Sequence, residues 1–242
     1  MELTNNKILI TGGATGIGFG LAERFTKENN TVIICGRRAD ALEAAKLKLP
    51  GLIVKQCDLS KENERVELLN WLIENHADVN VVVNNAGIQN WMKLEDEDFF
   101  VKAKQEIAIN IEALVHLSSL ALQLPSLKTI MNVSSGLSYV PLIKTPIYSA
   151  TKAFVRSFTT SMRQLLISKN IEVVEIIPPA LNTDLGGVGL HDYAPPVSEF
   201  IESIFEQLKE GKTRLTFGMS EMMSKAGPDD LAIAFERMNQ QQ

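Results

Sequence analysis

A regular alternation of short β-branched runs with longer segments of helical periodicity constrains the fold of this chain more than any other feature. The alternation continues from the first residues to about Phe217. It is typical of βαβ units, in which a helix returns the chain to a neighbouring parallel strand. The short runs are apolar on both faces, as expected when helices cover both sides of a sheet. The sequence therefore predicts an α/β fold, a doubly wound parallel sheet of seven strands in a single domain.

The predicted elements follow one another without an internal repeat or a Pro/Gly/Ser-rich linker. The predicted strands lie near Lys7–Thr11, Thr31–Cys35, Ile53–Cys57, Val79–Asn84, Leu127–Ser134, Ile171–Pro178 and Arg214–Phe217. The predicted helices lie near Ile17–Asn29, Ala39–Leu49, Glu62–Asn75, Asp98–Leu122, Ile147–Ser168 and Val197–Lys209.

Charge and hydropathy exclude several classes of partner. The chain has 24 Lys and Arg against 29 Asp and Glu, and no basic run, so nucleic acid is an unexpected partner. Its apolar stretches are shorter than the roughly 18 residues of a membrane span, and its first residues do not resemble a secretion signal. We therefore expect a cytoplasmic protein. Cys35 and Cys57 fit a reducing compartment and are expected to be small buried hydrophobic side chains.

A glycine-rich turn joins the first predicted strand to the first predicted helix. It reads Thr-Gly-Gly-Ala-Thr-Gly-Ile-Gly over Thr11–Gly18. Glycine is needed where the backbone turns sharply and comes close to a pyrophosphate, and the following helix offers free N–H groups to the anion. The strand–turn–helix context favours a dinucleotide site over a simple tight turn. The predicted contacts here are Gly12, Thr15, Gly16, Ile17 and Gly18.

The end of the second predicted strand should decide which nicotinamide cofactor binds. An acidic residue there holds the ribose 2′-OH, whereas a basic residue accepts a 2′-phosphate. The chain reads Cys-Gly-Arg-Arg, with Arg37 and Arg38 and no carboxylate until Asp40. This pattern favours NADP(H) over NAD(H). Alternatively, the two arginines are solvated residues at the start of the next helix.

The next two strand ends supply further candidate contacts. Asp58 could accept a hydrogen bond from an adenine amino group, or it could cap the helix that begins beyond Ser60. The fourth strand ends in Asn-Asn-Ala-Gly, and ligands of open α/β sheets bind at this edge. Asn85, Ala86 and Gly87 are therefore expected to contact the ribose region.

Tyr148 and Lys152 lie four residues apart in a predicted helix, so their side chains share one face. A lysine ammonium beside a phenol lowers the pKa of the phenol, which could then act as an acid or base near neutral pH. Such a pair is common on helices and is weak evidence by itself. The fifth strand ends in Asn132-Val133-Ser134-Ser135-Gly136, and Asn110 lies within a long predicted helix, where a buried amide needs partners.

Taken together, these motifs resemble the short-chain dehydrogenase/reductase superfamily, in its single-domain branch with a Rossmann-type fold. The resemblance covers residues 7 to about 185, in the family's order and spacing. More loosely, the chain resembles bacterial oxidoreductases encoded beside the D-alanylation genes of the cell wall, which indicates no substrate. The matching elements are Thr11–Gly18, Asp58, Asn84–Gly87, Asn110, Ser135, Tyr148, Lys152 and Pro178–Thr183.

The resemblance implies a catalytic role for four residues. Tyr148 would exchange a proton with a carbonyl oxygen, and Ser135 would hydrogen-bond that oxygen. Lys152 would lower the pKa of Tyr148 and hold the nicotinamide ribose, while Asn110 would anchor a water. Tyr148, Lys152, Pro178, Leu181 and Thr183 would also contact the cofactor. The implied protein is an NADP(H)-dependent oxidoreductase for a small carbonyl or alcohol; the alternative is a non-catalytic NADP(H)-binding sensor or scaffold.

The chain departs from the family pattern beside the site. Pro179 stands where glycine is usual, which restricts Pro178, and Ser138 also replaces a common glycine. Residues 184–196 are expected to form a flexible substrate loop. His191 is either a substrate contact or a solvated loop residue, and no metal site is expected. The candidate walls of an apolar pocket, which could equally be ordinary packing, are Trp91, Met92, Val140, Leu142 and Tyr193.

We expect residues 1–218 to form an NADP-binding domain and residues 219–242 a methionine-rich helical tail of that domain. Leu231, Ala234, Phe235 and Met238 give the tail helix one apolar face. This face could pack on its own domain, on a second subunit or, less favourably because of its acidic first turn, on a membrane surface. The long helices near 98–122 and 147–168 carry surplus apolar residues, and in the family they pack across a two-fold axis. A homodimer or homotetramer is therefore expected.

Overall fold

The seven predicted strands form one parallel sheet in this computed structural model, which describes residues 1–240. The order β3-β2-β1-β4-β5-β6-β7 reverses direction between β1 and β4, and this reversal opens a crevice at the carboxyl edge. The predicted doubly wound α/β fold is therefore confirmed. The strands are β1 (Lys7–Thr11), β2 (Thr31–Gly36), β3 (Ile53–Gln56), β4 (Val81–Asn84), β5 (Thr129–Val133), β6 (Glu172–Ile177) and β7 (Arg214–Thr216).

Helices connect the strands and cover both faces of the sheet. The helices are α1 (Gly16–Lys27), α2 (Ala39–Lys48), α3 (Glu62–Asn75), α4 (Phe99–Ile107), α5 (Ala113–Ala121), α6 (Pro146–Leu165), α7 (Val197–Lys209), α8 (Met219–Lys225) and α9 (Pro228–Asn239).

Alternate side chains of each strand supply two apolar layers. Ile8 and Ile10 of β1 are fully buried against a layer built from α1, α2 and α7. Leu9 points to the other face, where it packs with α3 and α5. Cys35 and Cys57 belong to this second layer, so the expectation that they are buried hydrophobic side chains is confirmed.

The predicted helix Asp98–Leu122 is not continuous, which corrects the sequence analysis. A π-helical segment, Ala108–Glu112, separates α4 from α5. Its wider turn places the buried Asn110 side chain against the main chain of Ile88, with which it makes two hydrogen bonds. Periodicity could not predict this, because the partner comes from the loop after β4.

The tail forms two short helices. The side chain of Ser220 in α8 is buried and donates a hydrogen bond to the carbonyl of Ile177 at the end of β6. The apolar face of α9 is only partly covered, with Leu231, Ala234 and Met238 half-buried and Phe235 exposed. Among residues 1–240, no helix has both the length and the apolar character needed to cross a membrane.

Candidate active site

The glycine loop after β1 lies tightly against the loop after β4. A Cβ on Gly12 would come within 3.0 Å of the Ala86 Cα, and a Cβ on Gly18 within 2.3 Å of the Gly12 carbonyl oxygen. Gly12 and Gly16 also have positive φ angles, of 62° and 55°. These positions therefore require glycine, because a side chain would push the two loops apart or strain the turn.

Hydrogen bonds from Thr11 and Asn85 join the carboxyl ends of β1 and β4. The Thr11 hydroxyl accepts from the backbone N–H groups of Asn85 and Ala86, both at 3.0 Å. The Asn85 amide donates to the Thr11 carbonyl at 2.9 Å. Thr11 belongs to the predicted glycine-rich motif, but this structural role was not predicted. The position of this hydroxyl at the end of a predicted strand could have indicated that it bonds to a neighbouring loop.

The second and third strand ends place charged groups together. Arg37 and Arg38 are exposed, and Arg37 lies close enough to Asp58 to contribute to the lowering of its pKa. Burial acts to raise the pKa of Asp58, but hydrogen bonds from Ser60 and the nearby positive charges outweigh it. One oxygen of Asp58 accepts from the Ser60 N–H at 3.1 Å and from its hydroxyl at 2.7 Å. Asp58 thus stabilises the turn before α3.

Asn110, Ser135, Tyr148 and Lys152 are all buried at the carboxyl edge, with exposed fractions of 1%, 6%, 6% and 4%. The Asn110 amide donates to the Thr151 hydroxyl at 3.1 Å, which ties the π segment to α6. A Cβ on Gly87 would lie 3.4 Å from the Asn110 Oδ1 and 3.6 Å from the Lys152 Nζ. The fold therefore brings together the π segment, the loop after β4, the end of β5 and the first turns of α6.

The electrostatics of Tyr148 differ from the expectation that Lys152 lowers its pKa. Burial raises the pKa of Tyr148 above its ordinary value, a hydrogen bond with Ser135 partly offsets this, and Glu106 raises it further. The Lys152 Nζ donates to the Val133 carbonyl at 2.8 Å and lies 5.5 Å from the centre of the Tyr148 ring. Burial lowers the pKa of Lys152 to about 8. In this structure Tyr148 is therefore a neutral phenol at neutral pH.

Glu106 is a buried carboxyl group that the sequence analysis missed. One of its oxygens accepts from the backbone N–H and the side-chain amide of Asn90, while the other is buried and lacks a hydrogen-bond partner among the described residues. Burial raises the pKa of Glu106 to about 7, and the hydrogen bonds from Asn90 offset only part of that effect. A glutamate on the buried face of a predicted helix was the only signal for it.

The segment after β6 runs beside the glycine loop. The Gly136 N–H donates to the Pro178 carbonyl at 2.9 Å, and Leu181 is buried. The methyl group of Thr183 lies near Gly16, where an added Cβ would be 3.4 Å away. Pro179 is half-buried in this segment. Its presence in place of glycine therefore does not move the segment away from the glycine loop.

The proposed pocket walls differ in exposure. Met92 and Val140 are buried and Leu142 is half-buried, whereas Trp91 is 41% and Tyr193 82% exposed. The loop 184–196 packs against the segment after β4, because a Cβ on Gly186 would lie 2.9 Å from the Gln89 Oε1. His191 is half-buried, and its ring stacks on Tyr193 within the same loop.

A family model, curated sequences and solved structures that are similar to this chain all describe dehydrogenases or oxidoreductases. The family model described as short chain dehydrogenase matches residues 6–192. An uncharacterized oxidoreductase of Bacillus subtilis, DltE, is 39% identical over the full length of both chains. A serine 3-dehydrogenase of Rhizobium radiobacter is 31% identical, with 73% of this chain and 72% of the relative covered. A short chain dehydrogenase of Burkholderia cenocepacia, solved with NADP, superposes with a TM-score of 0.83 at 20% identity, covering 98% and 99% of the chains.

Proposed function

Because the chain belongs to the short-chain dehydrogenase family and is an oxidoreductase of that family, we propose that it interconverts a small carbonyl compound and its alcohol with NADP(H). The observation that carries the proposal is the convergence of Ser135, Tyr148 and Lys152 in one buried cluster beside the glycine loop. A protein that only sensed or stored the nucleotide would not need a buried acid–base group at that point. No observation favours that alternative.

The residues at the crevice fit a dinucleotide. Gly12 and Gly18 let the glycine loop pack closely at the N-terminus of α1, where free backbone N–H groups can hold a pyrophosphate. Thr15, Gly16 and Ile17 would complete this turn. The further contacts that we propose are Asn85, Ala86, Gly87, Pro178, Leu181 and Thr183. When bound, the nicotinamide would supply or accept the hydride.

The proton chemistry follows from burial. Tyr148, kept as a neutral phenol, would donate its proton to the carbonyl oxygen during reduction, and Ser135 would hold that oxygen. Lys152 would carry a positive charge next to the phenolate that forms, which stabilises it. Asn110, whose Oδ1 accepts from the Ile88 N–H at 2.9 Å, would hold the adjoining loop in place and anchor a water.

We propose that the chain binds NADP(H) rather than NAD(H), because two exposed arginines, Arg37 and Arg38, lie at the end of β2. Replacing both Arg37 and Arg38 with alanine should weaken NADPH binding about 100-fold, because two charge-assisted hydrogen bonds to the 2′-phosphate are lost. NADH affinity should stay nearly unchanged. Nicotinamide fluorescence titration of both cofactors measures the effect.

The matched control for this pair is Lys46→Ala with Lys48→Ala, since both lysines are exposed on the following helix and the loss of charge is equal. A wild-type preference for NADH would show that the arginines do not contact the cofactor. Binding of neither cofactor would overturn the enzyme proposal.

We also propose that the chain is a homodimer or homotetramer. Large apolar side chains stay exposed on α4 and at the end of α6, with Phe100 68% and Leu165 69% exposed. Burying such surfaces against a second copy is the usual way to remove them from water. Light scattering at micromolar concentration should give a mass at least twice 26.7 kDa. A single species at the monomer mass would contradict this.

A further inference from the structure

We propose that Asn239, in the last helix, is a positioning residue that holds the segment joining Ser135 to Tyr148. This inference rests on the proposed function, because it concerns how the same acid–base site is kept in shape. Asn239 does not itself lie at the reacting groups. Its effect would pass through the main chain of Pro141–Ile143, the part of the joining segment that it contacts.

The side chain of Asn239 uses both ends of its amide on that segment. Its Oδ1 accepts from the Ile143 N–H at 2.9 Å, and its Nδ2 donates to the Pro141 carbonyl at 3.1 Å. The same Nδ2 donates to the Phe235 carbonyl at 2.8 Å, which anchors the amide to its own helix. One side chain thus spans two main-chain groups about a hundred residues away in the sequence, in the manner of a sheet hydrogen-bond pair.

Two further contacts tie the C-terminal part of the chain to the same segment. Gly136 faces α8, where an added Cβ would lie 3.3 Å from the Ser220 Cβ and 3.5 Å from the Met223 Sδ. The guanidinium of Arg214 in β7 donates to the Tyr139 hydroxyl. The segment after Ser135 is therefore held at its start by α8, in its middle by β7 and at its far end by Asn239.

The held segment leads directly to the proposed catalytic groups. The Leu142 N–H donates to the Ser149 hydroxyl at 3.1 Å, and Ser149 follows Tyr148 in α6. The Lys144 carbonyl accepts from the Met92 N–H at 3.0 Å, so the segment also supports one proposed pocket wall. A shift of Pro141–Ile143 would therefore move both the first turn of α6 and the wall that faces the substrate.

The test compares Asn239→Ala and Asn239→Asp with wild type. Asn239→Ala should speed hydrogen exchange of the Ile143 amide and lower kcat/KM for carbonyl reduction, each about tenfold, because the hydrogen bonds to the Ile143 N–H and the Pro141 carbonyl are both lost. NADPH affinity should change much less than kcat/KM, since the glycine loop and Arg37 lie outside this contact. Asn239→Asp keeps an acceptor for the Ile143 N–H but sets a second oxygen against the Pro141 and Phe235 carbonyls, which repel it, so its effects should be at least as large as those of Asn239→Ala.

Gln240→Ala, an exposed amide at the next position, is the matched control and should leave both measurements at the wild-type value. Unchanged exchange at Ile143, or faster exchange with unchanged kcat/KM, would overturn the positioning role. Equal acceleration at all amides, together with weaker NADPH binding, would show a general loss of stability and would also overturn it. The exchange measurement does not require turnover. If the wild-type chain reduced no carbonyl, the proposed function would be wrong, and the exchange rates would still test the contact of Asn239 with Ile143.

Discussion

Replacing Tyr148 with phenylalanine is expected to lower kcat for carbonyl reduction about a thousandfold, because the buried phenol is the group that we propose to protonate the carbonyl oxygen. The change removes one hydroxyl from a side chain that is almost fully buried, so the shape of the site is preserved. Steady-state oxidation of NADPH in the presence of a reducible carbonyl measures the rate.

NADPH binding and the midpoint of thermal unfolding serve as internal controls for this variant. Both should change far less than kcat, since the glycine loop, Arg37 and the sheet keep their contacts when the hydroxyl of Tyr148 is removed. Full turnover in the variant would show that another group donates the proton. Loss of NADPH binding would instead show that the phenol mainly supports the fold or the cofactor.

Replacing Glu106 with glutamine should remove a large pH dependence from the stability of the protein. Burial raises the pKa of Glu106 from 4.5 to about 7. Below about pH 4.5 the carboxyl is protonated in both the folded and the unfolded chain. Between pH 4.5 and 7 the unfolded chain loses the proton and the folded chain keeps it, so stability falls as pH rises, by about 3 kcal/mol in total.

Urea unfolding at pH 4.5 and pH 8 measures this effect. The free energy of unfolding of Glu106→Gln, relative to wild type, should be about 3 kcal/mol higher at pH 8 than at pH 4.5. Glutamine still offers an oxygen to the Asn90 N–H, so the loop after β4 should stay in place. The control is Glu112→Gln at an exposed position nearby, which should follow the wild-type curve. If Glu106→Gln also follows it, the carboxyl is ionised in the folded protein.

Local patterns predicted most of the fold. Most strands are short runs dominated by apolar residues, and the segments between them show helical periodicity, so the order of the elements followed directly. Apart from the π segment that interrupts the predicted helix Asp98–Leu122, errors were confined to the ends of elements: β5 was predicted as Leu127–Ser134 and spans Thr129–Val133. Strand ends depend on which neighbour supplies the last hydrogen bond, and that information is not local.

Residue type and spacing predict the parallel α/β order and the glycine loop, and the resemblance to the short-chain dehydrogenase/reductase superfamily adds the four candidate catalytic residues. The π segment around Asn110, the buried Glu106 and the contact of Asn239 with Pro141–Ile143 are seen only in the folded chain. Each of these depends on a partner distant in the chain. The direction of the pKa shift of Tyr148 belongs to the same group, because burial, which only the folded chain defines, outweighs the effect expected from Lys152 at i+4.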